Sequence, residues 1–455
     1  MTVQTPVHPA VLPARTVPTA PGNLPLLGHA LPLLRDPMGL LQSIRPLGDV
    51  VRIRMGRLDV YVLNSPALVR QMLASDADSF RGGRLNEKFR VYLGDGLFTL
   101  DGDIHLRRRR LVAPAFQRRK LKAYTDVMRN GAQARSATWT PGSRIDVGAE
   151  MYALASEIVA RLFFGSELAD EQVEQIRQWL PELYKGMGRK AAAPVAWPAR
   201  LPTPANRRFE TARQGLRHLI ESLIRSHLDG GGDEGDLLSM LIAARDADTG
   251  EPLTAAQLHD EAMTFFIGGI SGVAATLTWL YHELGRHPQV ERRLRDELAQ
   301  VLNGRPVTFD DIPKLPYTQT VVRETLRLHS PAWLLTRRPT RPTALGGVHF
   351  PAGTELVFSP TAIHRDPDLY PRPLVFDPDR WQSADHRSPA YLPFGFGPFK
   401  CPGDHFALTE LAIAVATITP RWRLAPLCDR APREVAGVAL APDRVVMTTQ
   451  PQIDR

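Results

Sequence analysis

The spacing of apolar and polar residues changes along the chain between a strand-like and a helix-like pattern. Residues 50–64 (VVRIRMGRLDVYVLN) alternate on both sides of a central Gly-Arg pair, as the strands of a β-hairpin do. Ser65-Pro66 follows, a pair that typically opens a helix. The pattern then stays mainly helical to about residue 330, and short strands return in residues 344–358. The sequence therefore predicts a mainly α fold with a small β portion.

Proline and glycine mark the candidate boundaries of the chain. Residues 1–22 are proline-rich and lack the apolar core of a secretory signal, which predicts a flexible N-terminal segment. A proline-rich loop at residues 188–206 and a glycine-rich connection at residues 229–236 interrupt the helical region. Because the helices do not separate into blocks with their own linkers, we predict a single domain over residues 23–455.

One predicted helix is long enough to cross the whole domain. It begins with a capping box formed by Thr254 and Gln257 and extends for roughly 32 residues, or about 48 Å. Its middle is apolar on all sides, which indicates a buried helix. Three glycines nevertheless lie at its centre, each costing about 1 kcal/mol relative to alanine: Gly268, Gly269 and Gly272. They indicate either close packing of another helix or the approach of a flat or bulky group.

Composition limits the class of protein. The 455 residues are 43% apolar and 23% charged, which is typical of a soluble globular protein. The net charge of +8 suits nucleic acid, an anionic membrane or an acidic protein partner. No run of about 18 uninterrupted apolar residues occurs, so we expect no membrane span. Cys401 and Cys428 are the two cysteines of the chain, which favours a reducing cytoplasm over a disulfide-stabilised secreted protein.

Cys401 lies in an unusual loop, residues 394–406 (FGFGPFKCPGDHF), which runs into a predicted helix. Gly395 and Gly397 remove side chains from one side of this loop, so a planar group can lie against its backbone. The following helix directs its N-terminal N–H groups towards the sulfur and so favours a thiolate. A thiolate in a flat, apolar site suits a haem iron.

Other interpretations of the loop are less well supported. A dinucleotide-binding fingerprint needs glycine where Lys400 stands. Tetrahedral zinc needs further Cys or His residues at ligand spacing, and Cys428 stands alone in its stretch. The flanking glycines argue against a merely structural, buried cysteine. A Cys-His nucleophilic pair with His405 stays open on the residues alone.

These residues resemble the cysteine signature of the cytochrome P450 family, the haem-thiolate monooxygenases. The family pattern Phe-x-x-Gly-x-(Arg/His)-x-Cys-x-Gly appears as residues 394–403. Its Glu-x-x-Arg element appears as Glu324 and Arg327, and its later arginine as Arg380. The resemblance covers nearly the whole chain. It implies a cytochrome P450 fold with haem b between the long central helix and the cysteine-loop helix.

The resemblance also implies roles for individual residues. Cys401 would ligate the iron, with three further loop residues at the haem: Phe394, Gly395 and Gly403. A buried charge network would brace the loop, and Glu and Arg at i, i+3 can pair on one helix face. Its members would be Glu324, Arg327 and Arg380. The residues implied at the haem propionates are His105, Arg109 and Arg337.

A run of basic residues surrounds Arg109. Consecutive residues of a helix point in different directions, so we predict that Arg109 faces inward while its neighbours face outward. The outward charges suit an acidic electron-transfer protein such as a ferredoxin, although a solvated face or a nucleic-acid patch is the simpler interpretation of four arginines alone. The candidate docking residues are Arg107, Arg110, Arg118, Arg119 and Lys120.

Two departures from the family pattern concern propionate binding and proton delivery. Phe399 stands where the family has Arg or His, so one propionate partner is lost. In the central helix, Ser271 replaces the acid and Gly272 replaces the threonine that deliver protons during dioxygen activation in the family. Thr276 lies one turn further on and is a candidate substitute.

The resemblance thus implies a soluble, bacterial-type oxidase that is monomeric and cytoplasmic and does not bind nucleic acid. NAD(P)H would supply electrons through a ferredoxin reductase and a ferredoxin. The enzyme would hydroxylate, epoxidise or desaturate an apolar small molecule. Residues 324–340 (ETLRLHSPAWLLTRRPT) most resemble members that oxidise terpenes, so we expect a terpenoid or other secondary metabolite. The candidate pocket residues are Phe98, Phe266, Gly269, Trp333, Leu334 and Leu335.

Several alternatives stay open. The enzyme could use peroxide, or the substrate's own hydroxyl could complete the proton relay. A haem-binding sensor or carrier that no longer activates dioxygen is the alternative outside enzymes. A terpenoid isomerase or cyclase lacks support, because no paired Asp-rich motif occurs. Product formation with dioxygen and a ferredoxin system, compared with peroxide alone, distinguishes these functions.

Overall fold

The computed structural model describes residues 12–13, 16–165, 168–192, 201–230, 236–427 and 430–452. Helices dominate this part of the chain. They are α1 (Ala30–Arg35), α2 (Pro37–Ser43), α3 (Pro66–Arg70, continued by a π turn over Gln71–Ser75), α4 (Arg84–Leu93), α5 (Gly102–Val112), α6 (Arg118–Ala137), α7 (Val147–Phe164), α8 (Asp170–Ala192), α9 (Pro204–Gly230), α10 (Leu237–Ala243), α11 (Ala255–Arg286), α12 (Pro288–Leu302), α13 (Pro316–Leu328), α14 (Pro360–His364) and α15 (Asp404–Ile418).

The strands are short and form small sheets. They are β1 (Leu12–Pro13), β2 (Val50–Met55), β3 (Leu58–Leu63), β4 (Phe80–Gly82), β5 (Arg144–Asp146), β6 (Leu335–Pro339), β7 (Thr343–Leu345), β8 (Val348–Phe350), β9 (Glu355–Phe358), β10 (Trp422–Pro426), β11 (Glu434–Ala436), β12 (Leu440–Pro442) and β13 (Val446–Pro451). The largest sheet has five strands in the order β2-β3-β9-β6-β4. This is the predicted architecture, mainly α with a small β portion.

The hairpin predicted at residues 50–64 is formed by β2 and β3. The two strands pair antiparallel, from Val50 opposite Leu63 to Met55 opposite Leu58. Gly56 makes the turn with φ of +65°, a backbone conformation that favours glycine. β9 then pairs with β3 in parallel, and β6 pairs with β9 antiparallel. The sheet thereby fixes β6, which carries Arg337.

The long central helix is α11. It has 32 residues, and Thr254 and Gln257 form the predicted capping box at its start. Within the described ranges it is the one helix long and apolar enough to cross a membrane, but 78% of its apolar window is buried inside the protein. It packs against α7, α9, α13 and α15. The helix is therefore the centre of the core.

The helix after the cysteine loop, α15, is buried on nearly all sides as well. All residues of the stretch 411–418 are buried, and the helix packs against α6, α11 and α13. Such a helix has no amphipathic stripe because it has no exposed face. Together α11 and α15 fix the two sides between which the candidate site lies.

The N-terminal segment is packed, and not flexible as predicted, from residue 16 onwards. The Ala20 N–H donates to the Arg52 carbonyl at 2.8 Å, and Val17 and Ala20 are buried. Leu12 and Pro13 pair with β8 as strand β1. The reason is that this proline-rich segment supplies apolar side chains and backbone partners to two sheets. Residues 1–11, 14 and 15 lie outside the described residues.

The two predicted connections are shorter than expected. α8 continues to Ala192 and α9 begins at Pro204, so the loop predicted at residues 188–206 is helical at both ends. Residues 193–200 lie outside the described residues. Residues 231–235 of the glycine-rich connection and Cys428 also lie outside the described residues.

Candidate active site

The loop around Cys401 is fixed by its own backbone. The Cys401 N–H donates to the Phe394 carbonyl at 2.8 Å. Gly395 and Gly397 have φ of +72° and +64°, and a Cβ on Gly397 would clash with the Leu73 carbonyl. Both glycines are therefore required by the fold of the loop. The loop places the sulfur at a defined position ahead of α15.

The Cys401 side chain faces an internal cavity of about 1120 Å³, which accounts for its exposed surface. Burial raises the pKa of the Cys401 thiol to about 11, although a hydrogen bond from the Gly403 backbone lowers it. The helix start lowers the pKa of this thiol, as expected, but burial raises it by more. A metal cation that replaces the proton keeps the sulfur ionised, because thiolates bind metals only in the deprotonated form.

The centre of α11 forms the opposite wall of this cavity. Ser271 and Thr276 line it together with the three predicted glycines, Gly268, Gly269 and Gly272. A Cβ added to Gly268 would meet no atom within 4 Å, and one added to Gly272 would first meet the Pro331 Cβ at 4.0 Å. Close packing of another helix therefore does not explain these two glycines. They leave open space in front of the Cys401 loop.

Polar groups at the edge of the cavity lack partners. His105, Arg109 and Arg337 all line it. The His105 Nδ1 and the Arg337 Nε are buried with no hydrogen-bond partner among the described residues. Burial lowers the pKa of His105 to about 4 and that of Arg337 to about 10. Buried donors of this kind need an anion, and the two propionates of haem b fit them. The sulfur, the flat open space and these donors together fit a haem.

Phe399, which replaces the expected Arg or His, holds two of these groups in place. The Arg337 guanidinium lies over its ring at 4.5 Å, which is cation–π geometry. The His105 ring lies beside it at 4.9 Å. Lys400 is bonded to Asp404 and so does not replace the missing cation. An aromatic ring thus orients the remaining cation where the family pattern has a further charged residue.

The predicted charge network is present, and its Glu324–Arg327 pair is fully buried. Glu324 accepts two hydrogen bonds from Arg327, both at 2.9 Å, and one from the Arg380 Nε at 3.3 Å. Both side chains of the Glu324–Arg327 pair are 0% exposed. Trp381, which the sequence did not indicate, adds a fourth bond from its Nε1 at 3.1 Å. Every strong donor and acceptor of the pair is therefore used, as buried charges require.

His364 connects this network to the cysteine loop. The Arg327 Nη1 donates to the His364 carbonyl at 2.7 Å, and the His364 Nε2 accepts from the Leu392 N–H at 2.8 Å. Burial lowers the pKa of His364 to about 3, so its ring stays neutral and can accept this bond. Leu392 lies two residues before Phe394, where the loop begins. The network thus reaches the loop through a residue that local spacing could not reveal.

One of the six candidate pocket residues does not line the cavity. Phe266 is 0% exposed and packs against Phe164, with ring centroids 6.0 Å apart. Consecutive helical residues differ in direction by about 100°, so its neighbour Phe265 faces the cavity instead. The other five line the cavity: Phe98, Gly269, Trp333, Leu334 and Leu335.

The four arginines of α5 divide differently from the prediction. Arg109 turns to the cysteine loop and donates to the Lys400 carbonyl, but the most buried arginine is Arg108. It pairs with Glu261 of α11 at 2.8 Å, where Glu261 is 0% exposed. Burial raises the pKa of Glu261 to about 7 in spite of this arginine. Arg110 pairs with Asp248 at the surface.

Comparison with known proteins agrees with this geometry. A family model described as "Cytochrome P450" matches residues 18–448. Cyclooctatin synthase of Streptomyces melanosporofaciens is 43% identical over 412 residues, which cover 90% of this chain and 90% of that protein. Cyclooctat-9-en-7-ol 5-monooxygenase of the same organism is 39% identical over 428 residues, 93% of each chain. The crystal structure of a cytochrome P450DA heme domain has a TM-score of 0.86 at 26% identity and covers 97% of this chain and 98% of its own. The predicted fold is confirmed.

Proposed function

Since this chain belongs to the cytochrome P450 family and is a haem-iron monooxygenase, we propose that it oxidises a cyclic terpenoid that already carries a hydroxyl group. The observation that carries this proposal is the cavity between Cys401 and α11, which has space at Gly272 where the family has a hydroxyl. Two relatives support the substrate class. One is named a cyclooctatin synthase, and the name of the other specifies an alcohol, cyclooctat-9-en-7-ol.

We propose that Cys401 would ligate the haem iron and that His105, Arg109 and Arg337 would hold the propionates. When bound, the haem would supply the activation of dioxygen: one oxygen atom would enter the substrate and the other would leave as water, with two electrons from NAD(P)H and two protons. The glycine-lined side of the loop, at Gly395, leaves the space that a flat macrocycle needs. Burial of the Arg337 guanidinium excludes water and strengthens its attraction for a carboxylate, and the neutral His105 ring can add a hydrogen bond.

The walls of the cavity suit a bulky apolar substrate. Its apolar side chains come from α4, α11, β6 and the segments after α4 and before β6, and they include Phe89, Phe98, Phe265, Leu334 and Leu335. At the outer end, the cavity is lined by leucines that are strongly exposed for their type, such as Leu26 at 92% and Leu34 at 53%. Burial of a hydrocarbon skeleton against such walls contributes about 25 cal/mol per Å² of apolar surface. Hydroxylation, epoxidation and desaturation all fit this site.

Proton delivery is the step in which this chain departs from its family. The Thr276 hydroxyl donates to the Gly272 carbonyl at 2.8 Å, so its proton is already used within the helix. Ser271 lines the cavity, but Gly272 provides no hydroxyl. A hydroxyl of the bound substrate can occupy the space above Gly272 and supply the missing group, because proximity can replace a protein side chain. The Ser271 hydroxyl bonds to the Ile267 carbonyl at 3.5 Å, a much weaker contact than that of Thr276, so the substrate can complete the relay with Ser271.

This relay predicts a difference between two substrates with the same skeleton. With dioxygen, NAD(P)H, a ferredoxin and its reductase, we expect a cyclic diterpene alcohol to be oxidised with little peroxide release. The matching hydrocarbon should give a product-to-peroxide ratio lower by at least about tenfold, because positioned proton donors contribute about 10²–10⁴. Gly272→Thr should raise this ratio for the hydrocarbon. Products are quantified by mass spectrometry, and the peroxide released is measured per NAD(P)H consumed.

Gly272→Val is the matched control, because valine has the shape of threonine without its hydroxyl. It should not raise the ratio for the hydrocarbon. Equal effects of threonine and valine, or tight coupling of the wild type with the plain hydrocarbon, would contradict the substrate-assisted relay. Product from peroxide alone would favour a peroxygenase, and a haem-loaded protein without product in either assay would favour a haem-binding protein.

We further propose that electrons arrive from a cytoplasmic ferredoxin at the basic surface around the cysteine loop. Phe116, directly before α6, lies 3.5 Å from where a Cβ of Gly403 would stand. The start of α6 is therefore next to the loop, and Arg118 and Arg119 there are exposed. Arg118 lies over the Phe309 ring at 5.3 Å, although cations at a helix N-terminus oppose the helix dipole. An acidic partner would interact with both exposed charges.

Reversal of two of these charges should slow electron delivery. For Arg118→Glu combined with Arg119→Glu, we expect first-electron transfer from a ferredoxin to be about tenfold slower at low ionic strength and less sensitive to salt. The control is Arg207→Glu with Arg225→Glu, two exposed positions of α9 that change the net charge equally. Stopped-flow reduction measures both rates. Equal rates for the two variants would indicate a different docking surface.

A further inference from the structure

Tyr184 of α8 makes a contact with the central helix that no sequence motif predicts. Its side chain is buried, 8% exposed, and its hydroxyl donates to the Ile267 carbonyl at 2.9 Å. The same phenol oxygen interacts with the backbone N–H and the hydroxyl of Ser271. Burial raises the pKa of Tyr184 well above its usual range, so the hydroxyl stays protonated and can donate.

The position of this contact within α11 is significant. Ile267 and Ser271 are four residues apart, so the carbonyl of the first and the N–H of the second are the natural partners of one helical hydrogen bond. The Tyr184 hydroxyl donates to the Ile267 carbonyl beside that bond, in a turn where α11 is unbroken. The turn concerned contains Gly268 and Gly269 and lines the cavity in front of Cys401.

The same face of α8 also contacts the space available to substrate. Three residues that follow Tyr184 at helical spacing line the cavity: Met187, Gly188 and Ala191. Residues at i, i+3, i+4 and i+7 share one face of a helix. A substrate that seats against this face therefore acts on the helix that holds Tyr184 against Ser271.

We propose that Tyr184 is a positioning residue, which fixes the Ser271 hydroxyl and its turn of α11 when substrate seats against α8. The neighbouring hydroxyl of Thr276 is turned back to the Gly272 carbonyl, so Ser271 is the side chain of this wall whose orientation the contact determines. The Ser271 hydroxyl bonds to the Ile267 carbonyl only at the long distance of 3.5 Å, so it remains available to a substrate hydroxyl or water in the cavity. This inference rests on the proposed monooxygenation for its catalytic consequence, but the contact itself is independent of it.

Tyr184→Phe tests the proposal in the haem-loaded enzyme, because it keeps the ring, which lies 5.8 Å from that of Tyr152, and removes only the hydroxyl. With a cyclic diterpene alcohol and ferredoxin, we expect peroxide released per NAD(P)H to rise about fivefold, the equivalent of one hydrogen bond of about 1 kcal/mol. The dissociation constant of the alcohol, measured from its absorbance change, should shift less than about threefold, since the hydroxyl does not line the cavity.

Amide hydrogen exchange provides a readout that does not depend on catalysis. In the wild type, the diterpene alcohol should slow exchange in residues 267–272 of α11 and in residues 184–191 of α8. In Tyr184→Phe the slowing should persist in α8 and be lost in α11. Ser271→Ala removes the hydroxyl that Tyr184 contacts and should give the same exchange pattern. It replaces Tyr184→Phe as the test if that variant folds poorly.

Tyr152→Phe is the control, because it removes the hydroxyl of the adjacent tyrosine and should behave as the wild type. If Tyr184→Phe retains both the low peroxide release and the slowing in residues 267–272, the proposal is wrong. If the wild type oxidises no terpenoid but the exchange pattern differs as described, the proposed function fails while the positioning contact stands.

Discussion

Arg327→Ala is expected to prevent the protein from retaining haem, with a loss of about 3–5 kcal/mol of folding free energy. Arg327 is among the largest fully buried side chains of the described structure. Its removal leaves the Glu324 carboxylate buried without its main partner and the His364 and Pro373 carbonyls without a donor. Because His364 also holds Leu392 before the cysteine loop, the loss should reach the haem site directly.

Haem content per protein and the urea midpoint of unfolding measure this effect. Arg323→Ala is the matched control, since Arg323 lies one turn earlier on α13, is half-buried and bonds only weakly to Gln319 at 3.2 Å. Its removal should change stability by no more than about 0.5 kcal/mol. Arg327→Lys keeps the charge but not the fork of donors, so it should also lose haem. A stable, haem-loaded Arg327→Ala protein would show that the network does not brace the loop.

Features with a local signal were predicted well from the sequence. The alternation in residues 50–64 is confirmed as the β2–β3 hairpin, and the capping box at Thr254 marks the true start of α11. Both rest on interactions between residues that are close in the chain. The cysteine loop belongs to the same class, because Gly395 and Gly397 are needed by its own backbone. Local physics is sufficient for these elements.

Features that depend on distant partners were not predictable in the same way. The choice between Arg108 and Arg109 depends on where Glu261 of α11 lies, and no spacing within α5 encodes that. The choice between Phe265 and Phe266 depends on the rotation of α11 about its axis. A helix with an apolar centre on all sides gives no amphipathic signal that fixes this rotation. The sequence therefore indicates which helices form the wall of the site, but not which of their side chains face the cavity.

The contact of Tyr184 shows the same limit for function. A buried tyrosine in an amphipathic helix is ordinarily explained as core packing. Only the three-dimensional structure places its hydroxyl at Ile267 and Ser271, in the turn where the family pattern is broken. The departure at residues 271 and 272 was visible in the sequence, whereas the side chain that holds Ser271 was not.

Cys401→His should abolish the red-shifted Soret band of the reduced carbonyl complex and, with it, monooxygenation. The shift of that band would depend on a thiolate ligand from Cys401, and imidazole would not provide the same electron density. The described residues contain no group of three or more His, Cys, Asp and Glu side chains that could hold a metal. Cys428→Ser, which changes the second cysteine of the chain, should retain both the band and the activity. Absorbance spectra of the carbonyl complexes and product assays with the diterpene alcohol measure the two variants. A persistent red-shifted band in Cys401→His would mean that another sulfur binds the iron, and its loss in Cys428→Ser would identify that sulfur.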